Sequence, residues 1–298
     1  MRHFVALTKP RITLMVVLSA AAGMFLAGGW PSASLLVATV LGVGLCAGGA
    51  NALNQVWERE ADSRMERTKR RPVPAGLVSC TAATVFGLGL SAFGVALLTL
   101  WTRPLTAVLA ALTVGIYVLV YTPLKPVSSL STIVGAVPGA LPIMGGWTAA
   151  GGALDAGAWA LFGILFFWQL PHFLALAYLY KEDYSRGGLK MLSVEDQTGV
   201  QTRQQALLYA LALLPTSLLP SLLGLSGNVY AGVALLLSGL YVVAAFRFAT
   251  RPDRVTAARL FRTSLVYLPL LLGTLALDVQ ERPAAYDETV PIADARRF

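Results

Sequence analysis

The chain has 298 residues, of which 56% are hydrophobic and only 13% charged, with a formal net charge of +8. Soluble domains carry about 25% charged residues, so this balance excludes a disordered chain, a collagen and a disulfide scaffold and points to a polytopic membrane protein. Two cysteines, Cys46 and Cys80, and two histidines, His3 and His172, offer no metal-ligand spacing. The basic excess reads as membrane-flanking charge, with no nucleic acid partner.

Nine apolar stretches of spanning length follow in order, near 11–29, 33–56, 80–101, 104–121, 130–149, 157–179, 204–223, 228–248 and 260–277. Each is close to the roughly 20 residues that cross a bilayer as a helix. No alternating barrel pattern is present, so the expected fold is an all-α membrane protein. Pro138, Pro142, Pro171, Pro215 and Pro220 are expected to break several of these helices. Residues 1–277 read as a single transmembrane domain, and 278–298 as a short, poorly ordered, non-cytoplasmic tail.

Basic residues orient the segments. Nineteen of the 23 Lys and Arg fall at the N-terminus and after the second, fourth, sixth and eighth stretches. The other side holds Arg103, Arg282, Arg296 and Arg297. That asymmetry places the N-terminus in the cytoplasm. The lack of an Arg/Ser-rich presequence favours a bacterial inner membrane.

Two polar segments carry the chemistry. The first runs from Asn51 to Gly76. Asn54, Glu58 and Asp62 recur every four residues and share a helical face, with Asn51 one turn earlier. Two carboxylates and an amide suit Mg²⁺, which takes one or two carboxylates plus substrate phosphates. Arg67 and Arg71 follow, within a run of Arg and Lys able to grip phosphate oxygens. Acid beside base reads as a metal–diphosphate site. Topology alone accounts for some of those basic residues, but polar residues at the inner end of a membrane helix are costly and mark function.

The second segment runs from Trp168 to Gln197. Lys181, Glu182, Asp183 and Arg186 repeat the mixture of acid and base, four stretches after the first. That placement suggests a duplicated unit whose two loops cradle one diphosphate. His172 lies within the sixth stretch, after Pro171, with Trp168 one turn before. An intramembrane histidine is a functional residue by default. It could ligate iron, act as a base or bond an acceptor carboxylate.

These motifs together resemble the UbiA superfamily of intramembrane prenyltransferases. Asn54-x3-Glu58-x3-Asp62 continues through Met65, Arg67-Thr68, Arg71-Pro72 and Gly76. The Trp168-Gln169-x-Pro171-His172-Phe173 segment, the opening Thr8-Lys9-Pro10-Arg11, the Tyr121-Thr122-Pro123-Leu124-Lys125-Pro126 run and the stretch from Arg259 to Leu271 resemble its haem-farnesylating branch. The likeness covers about residues 10 to 277. It implies nine transmembrane helices in a bundle around a central cavity. It implies transfer of a farnesyl group from farnesyl diphosphate to a vinyl group of protohaem IX, with water addition, to give haem O. A haem A synthase that uses this product is an implied partner.

Residue by residue, the resemblance assigns Asn54, Glu58 and Asp62 to Mg²⁺-diphosphate, with Asn51 in support. Asp183 would ligate at a second acidic site, with Lys181 and Arg186 as charge partners. Arg67 and Arg71 would hold diphosphate oxygens or a haem propionate. His172 would face the porphyrin beside Trp168, and Trp57, Trp168 and Tyr184 would flank the allylic cation. The second segment is poorer in aspartate than in aromatic-acceptor members. The competing readings are another acceptor, such as an aromatic acid or a chlorin, a secondary transporter, and a haem-binding chaperone.

Overall fold

The computed structural model describes residues 1–29 and 31–280. Of the tail predicted over 278–298, residues 281–298 lie outside the described residues, while Asp278 accepts the Tyr230 amide at 2.7 Å. Among the described residues the longer helices are α1 Pro10–Gly28, α2 Ala33–Trp57, α3 Cys80–Trp101, α4 Pro104–Gly115, α5 Ser131–Ala149, α6 Ala156–Leu179, α7 Val200–Leu222, α8 Asn228–Thr250 and α9 Arg254–Leu277. Their ends fall within a few residues of the apolar stretches. The largest differences are at α4, whose α-helical part ends at Gly115, and at α9, which starts six residues early on charged sequence. There Asp253 accepts the Thr256 amide at 2.6 Å, and the Thr256 hydroxyl accepts the Asp253 amide in return. This reciprocal cap satisfies the first turn outside the apolar run.

Among the described residues, eight helical segments are long and apolar enough to cross a membrane, α4 being counted with its extension to Leu124. α5 is not among them. Its Gly, Thr and Pro lower its hydropathy, and 15 of its 19 residues are buried within the protein. A helix surrounded by other helices needs no lipid-compatible surface. Large apolar side chains such as Leu88, Phe93, Leu100, Leu236 and Leu240 instead face outward from peripheral helices, as a bilayer requires.

Small residues let the helices approach. A Cβ on Gly23 of α1 would collide with the Ile143 carbonyl of α5, and one on Gly146 of α5 with the Ala20 carbonyl of α1. Gly49 of α2 and Gly87 of α3 pack in the same way. Close backbone packing of this kind replaces the hydrophobic drive that is absent in lipid.

The predicted proline breaks do not occur. Pro138 and Pro142 lie inside continuous α5, Pro171 inside α6, and Pro215 and Pro220 inside α7. Neighbouring helices shield the freed carbonyls and hold the geometry. The distortion appears elsewhere. After Gly115, α4 widens into a π-helical turn over Ile116–Tyr121, then resumes through Leu124. The Thr122 hydroxyl caps the Tyr117 carbonyl at 2.7 Å. The widened turn directs Tyr117, Thr122 and Lys125 toward the end of α2.

Candidate active site

At the end of α2 the chain buries an unusual run: Asn51, Asn54, Gln55, Glu58 and Asp62 are each at most 7% exposed. α2 ends at Trp57, and Glu58 joins it to a short helix, Arg59–Arg64. The predicted single helix is therefore two. The four-residue ladder nevertheless carries through, with the Glu58 amide bonded to Asn54 O at 2.9 Å and the Asp62 amide to Glu58 O at 2.7 Å. The three polar side chains stay on one side.

A basic side chain meets each of them. Lys9 Nζ donates to Asn54 Oδ1 at 2.7 Å. Lys125 Nζ lies 2.5 Å from Glu58 Oε1. Arg71 Nη1 lies 2.6 Å from Asp62 Oδ2 and 4.0 Å from Glu58 Oε2. Amide and hydroxyl groups lock the arrangement. Asn54 Nδ2 donates to Thr122 Oγ1 at 3.1 Å, and Asn51 Nδ2 to the Thr8 carbonyl and to Thr13 Oγ1, both at 3.3 Å. Tyr117 OH reaches Asn51 Oδ1 at 3.5 Å.

Burial governs the charges here. It pushes the Lys9 ammonium down to about 7, with Arg71 adding to the effect and Glu58 opposing it. Burial raises the Glu58 carboxyl, but the ammonium groups of Lys125 and Lys9 outweigh it and hold the group below its ordinary value. Burial likewise opposes the charge on Lys125, and Glu58 overcomes it, so this ammonium sits well above its ordinary value. Glu58 and Lys125 thus form a fixed ion pair.

Two side-chain oxygens of this buried run lack a partner among the described residues, Gln55 Oε1 and Asp62 Oδ1, and only the second belongs to a carboxylate. A buried carboxylate oxygen left bare is costly unless a cation uses it. No three His, Cys, Asp or Glu side chains converge as a closed cage among the described residues. Mg²⁺ does not need one, since it completes its shell with phosphates and water. Asn54, Glu58 and Asp62 therefore fit the ion.

The second polar segment meets the first. It forms a short helix, Lys181–Arg186, whose Asp183 accepts the backbone amides of Glu66 at 2.8 Å and Arg67 at 3.3 Å. Arg186 Nη2 adds a contact at 2.6 Å. Burial raises the Asp183 carboxyl, but the bonds from Arg186, Glu66 and Arg67 outweigh it and leave it below its ordinary value. Asp183, expected as a ligand at a second acidic site, has its oxygens engaged here in bracing the first loop. Lys181 donates to the Asp196 carbonyl at 3.3 Å and turns away from the site. Arg67 lies over the rings of Tyr180 and Tyr184, at 5.5 and 5.7 Å from their centroids.

His172 sits deeper, within α6. Its ring stacks with Trp168 at 5.5 Å and with Phe261 of α9 at 4.7 Å. Trp57, expected to flank the allylic cation, is 57% exposed. An apolar groove of about 610 Å³ opens beside Thr8 and Thr13, between the N-terminal helix Arg2–Leu7 and helices α1 to α3.

Lys9, Thr13, Tyr117, Thr122 and Lys125 received no role from the sequence. Lys9 and Lys125 had a signal: each stands next to a proline at the edge of an apolar stretch, where a lysine is more than a topological charge. Lys9 also has the only positive φ on a non-glycine residue among those described, at 47°. That strain fits a residue held in place by the site.

Comparison with known proteins identifies relatives in sequence and in fold. The model of the UbiA prenyltransferase family matches residues 16–268. A protohaem IX farnesyltransferase of Solibacter usitatus is 43% identical over 290 residues, covering 93% of this chain and 99% of that protein. The human mitochondrial protohaem IX farnesyltransferase is 43% identical over 288 residues, covering 96% of this chain and 63% of that one. Among solved structures, digeranylgeranylglyceryl phosphate synthase has a TM-score of 0.79 at 15% identity, covering 93% of this chain and 97% of that one. A UbiA homologue from Archaeoglobus fulgidus bound to geranyl diphosphate and Mg²⁺ has a TM-score of 0.66 at 14% identity, covering 92% and 99%.

Proposed function

The chain belongs to the UbiA prenyltransferase family, and on that premise we propose how its residues carry out the reaction. It is an integral membrane prenyltransferase that transfers a farnesyl group from farnesyl diphosphate to protohaem IX. The observation that carries the site assignment is Asp62: fully buried, with one oxygen on Arg71 and the other bare.

Asn54, Glu58 and Asp62 would hold Mg²⁺, with Asn51 supporting the helix end. When bound, the ion offsets the charge that builds on the departing diphosphate. Arg71, Arg67, Lys9 and Lys125 line the same end of the bundle and receive diphosphate oxygens. Asp183 and Arg186 fix the loop that presents Arg67. The allylic C–O bond breaks with its electron pair leaving on diphosphate. The vinyl π electrons of protohaem then form the new C–C bond. Water adds to the resulting carbocation and loses a proton, giving the hydroxyethylfarnesyl group of haem O. A cavity between the helices keeps other water away until that step. Trp168 and Tyr184 face the allylic cation, and His172 faces the porphyrin.

We place nine spans in the bilayer, α5 included, with the N-terminus and both polar loops in the cytoplasm. Clustering of nineteen of the 23 basic residues at one end supports this orientation. The membrane is a bacterial inner membrane, and a haem A synthase is the proposed user of the product.

Mass spectrometry of haem from membranes expressing the chain, beside an Asp62→Asn control, tests this reading. A haem heavier by one farnesyl plus water, absent in the control, is expected. Full product from Asp62→Asn would remove the metal assignment.

A further inference from the structure

The surroundings of His172 fix which ring nitrogen carries its proton. Nδ1 lies 2.7 Å from Ser264 Oγ. That hydroxyl oxygen also lies 2.6 Å from the Phe261 carbonyl. A carbonyl only accepts, so the single hydroxyl proton of Ser264 goes to Phe261. Ser264 Oγ can then only accept from the imidazole. The neutral ring of His172 is therefore protonated on Nδ1, and Nε2 keeps an in-plane lone pair.

Two stacking contacts hold the ring in this pose. Trp168 and Phe261 stack on it. Trp168 is itself fixed, with Nε1 donating to the Ser264 carbonyl at 2.8 Å and its own carbonyl accepting from Tyr241 OH at 3.0 Å. The imidazole is half-buried, and Nε2 makes no hydrogen bond among the described residues. A rigid imidazole with one nitrogen donating to an oxygen and the other bare is the arrangement that histidine metal ligands use. Mg²⁺ takes oxygen ligands and is assigned to the end of α2, so the metal of this reaction that suits an imidazole is the iron of the porphyrin substrate.

We propose that His172 Nε2 is the axial ligand to the substrate iron, and that Ser264 is the positioning residue that sets the tautomer for it. This rests on the reading of protohaem IX as acceptor. The ligand fixes the macrocycle by its centre, so that a vinyl carbon at the rim has a defined place beneath the allylic cation. It also makes the iron, and not only the porphyrin outline, a determinant of acceptor choice. A metal-free protoporphyrin keeps its vinyl groups but loses this tether.

The test is spectroscopic. Detergent-solubilised full chain is titrated with ferric protohaem IX and with metal-free protoporphyrin IX. The ferrous nitrosyl adduct is then examined by EPR for the nitrogen splitting that a trans imidazole imposes. Wild type is expected to show that splitting and to prefer the iron porphyrin. His172→Gly is expected to lose the splitting and regain it with added imidazole. Ser264→Ala is expected to weaken haem binding about tenfold or more, as loss of a ligand's orienting partner does, while Ser264→Thr restores it. Size-exclusion profiles show which variants remain folded, and His172→Gln serves if glycine unsettles α6. Unchanged splitting in a folded His172 variant would overturn the proposal. So would equal binding of the two porphyrins by wild type. Absence of any haem binding by wild type that still releases diphosphate would strike the acceptor reading, and the proposal with it.

Discussion

The Asp183 carboxylate accepts the backbone amide of Glu66 at 2.8 Å, across 117 residues of chain. This bond joins the two polar segments into one structure at the end of the bundle. The loop that carries Arg67 and Arg71 is thus shaped by a residue that touches neither guanidinium. Asp183→Ala leaves two loop amides without their acceptor, a loss of about 1–3 kcal/mol for a buried group. The expected result is a higher KM for farnesyl diphosphate with the Mg²⁺ dependence of the rate unchanged. A shift of the Mg²⁺ titration curve would return Asp183 to the metal.

Glu58 and Lys125 are 8% and 14% exposed at their side chains and lie 2.5 Å apart. Removing one partner of such a pair strands the other charge, at a cost of about 3–5 kcal/mol. Lys125→Met should therefore lower the unfolding temperature in detergent markedly. Adding Glu58→Gln should recover most of that stability without recovering activity. Thermal unfolding beside turnover separates the two effects. Recovery of turnover in the double variant would show that Glu58 is not needed for chemistry.

Arg67 is held between Tyr180 and Tyr184 rather than by an acid. Its charge is therefore available to an incoming anion. Arg67→Ala should raise the KM for farnesyl diphosphate about tenfold, the weight of one charge-assisted hydrogen bond. Arg67→Lys should recover little, because an ammonium lacks the planar face that stacks on the rings. Steady-state kinetics with each substrate varied in turn checks both statements. If only the haem KM moves, the arginine belongs to the propionates.

Asp196 braces the start of α7. Its Oδ2 accepts the Thr202 amide at 2.8 Å and the Thr202 hydroxyl at 3.0 Å, and its Oδ1 accepts the Thr198 hydroxyl at 3.0 Å. Burial raises its pKa, but these bonds to the charged form outweigh it and leave the carboxyl below its ordinary value. A carboxyl lowered in the folded state stabilises above its unfolded pKa of about 3.9. That contribution is lost as pH falls through the lower, folded value. Asp196→Asn should lose about 1 kcal/mol at neutral pH and show a flatter decline between pH 5 and 3. Melting curves across that range test the sign.

The membrane helices were legible because apolar length is a local property. A run of about 20 apolar residues must become a helix in lipid wherever it sits. Asn54, Glu58 and Asp62 were legible for a related reason, since four-residue spacing survives the break at Glu58. The prolines misled because their effect depends on neighbours: Pro138 and Pro142 lie in a helix enclosed by others.

The sequence by itself determined the class of molecule, the approximate extent of its helices and the placing of Asn54, Glu58 and Asp62 on one side. It also carried the family, because several motifs fall in order along one chain. Only the tertiary structure decided which groups meet. Lys9 reaches Asn54 across 45 residues, Lys125 reaches Glu58 across 67, and His172 reaches Ser264 across 92. No periodicity spans such distances. These pairings follow from glycine-lined helix crossings and from one widened turn in α4, whose effect appears only when all the helices are packed together.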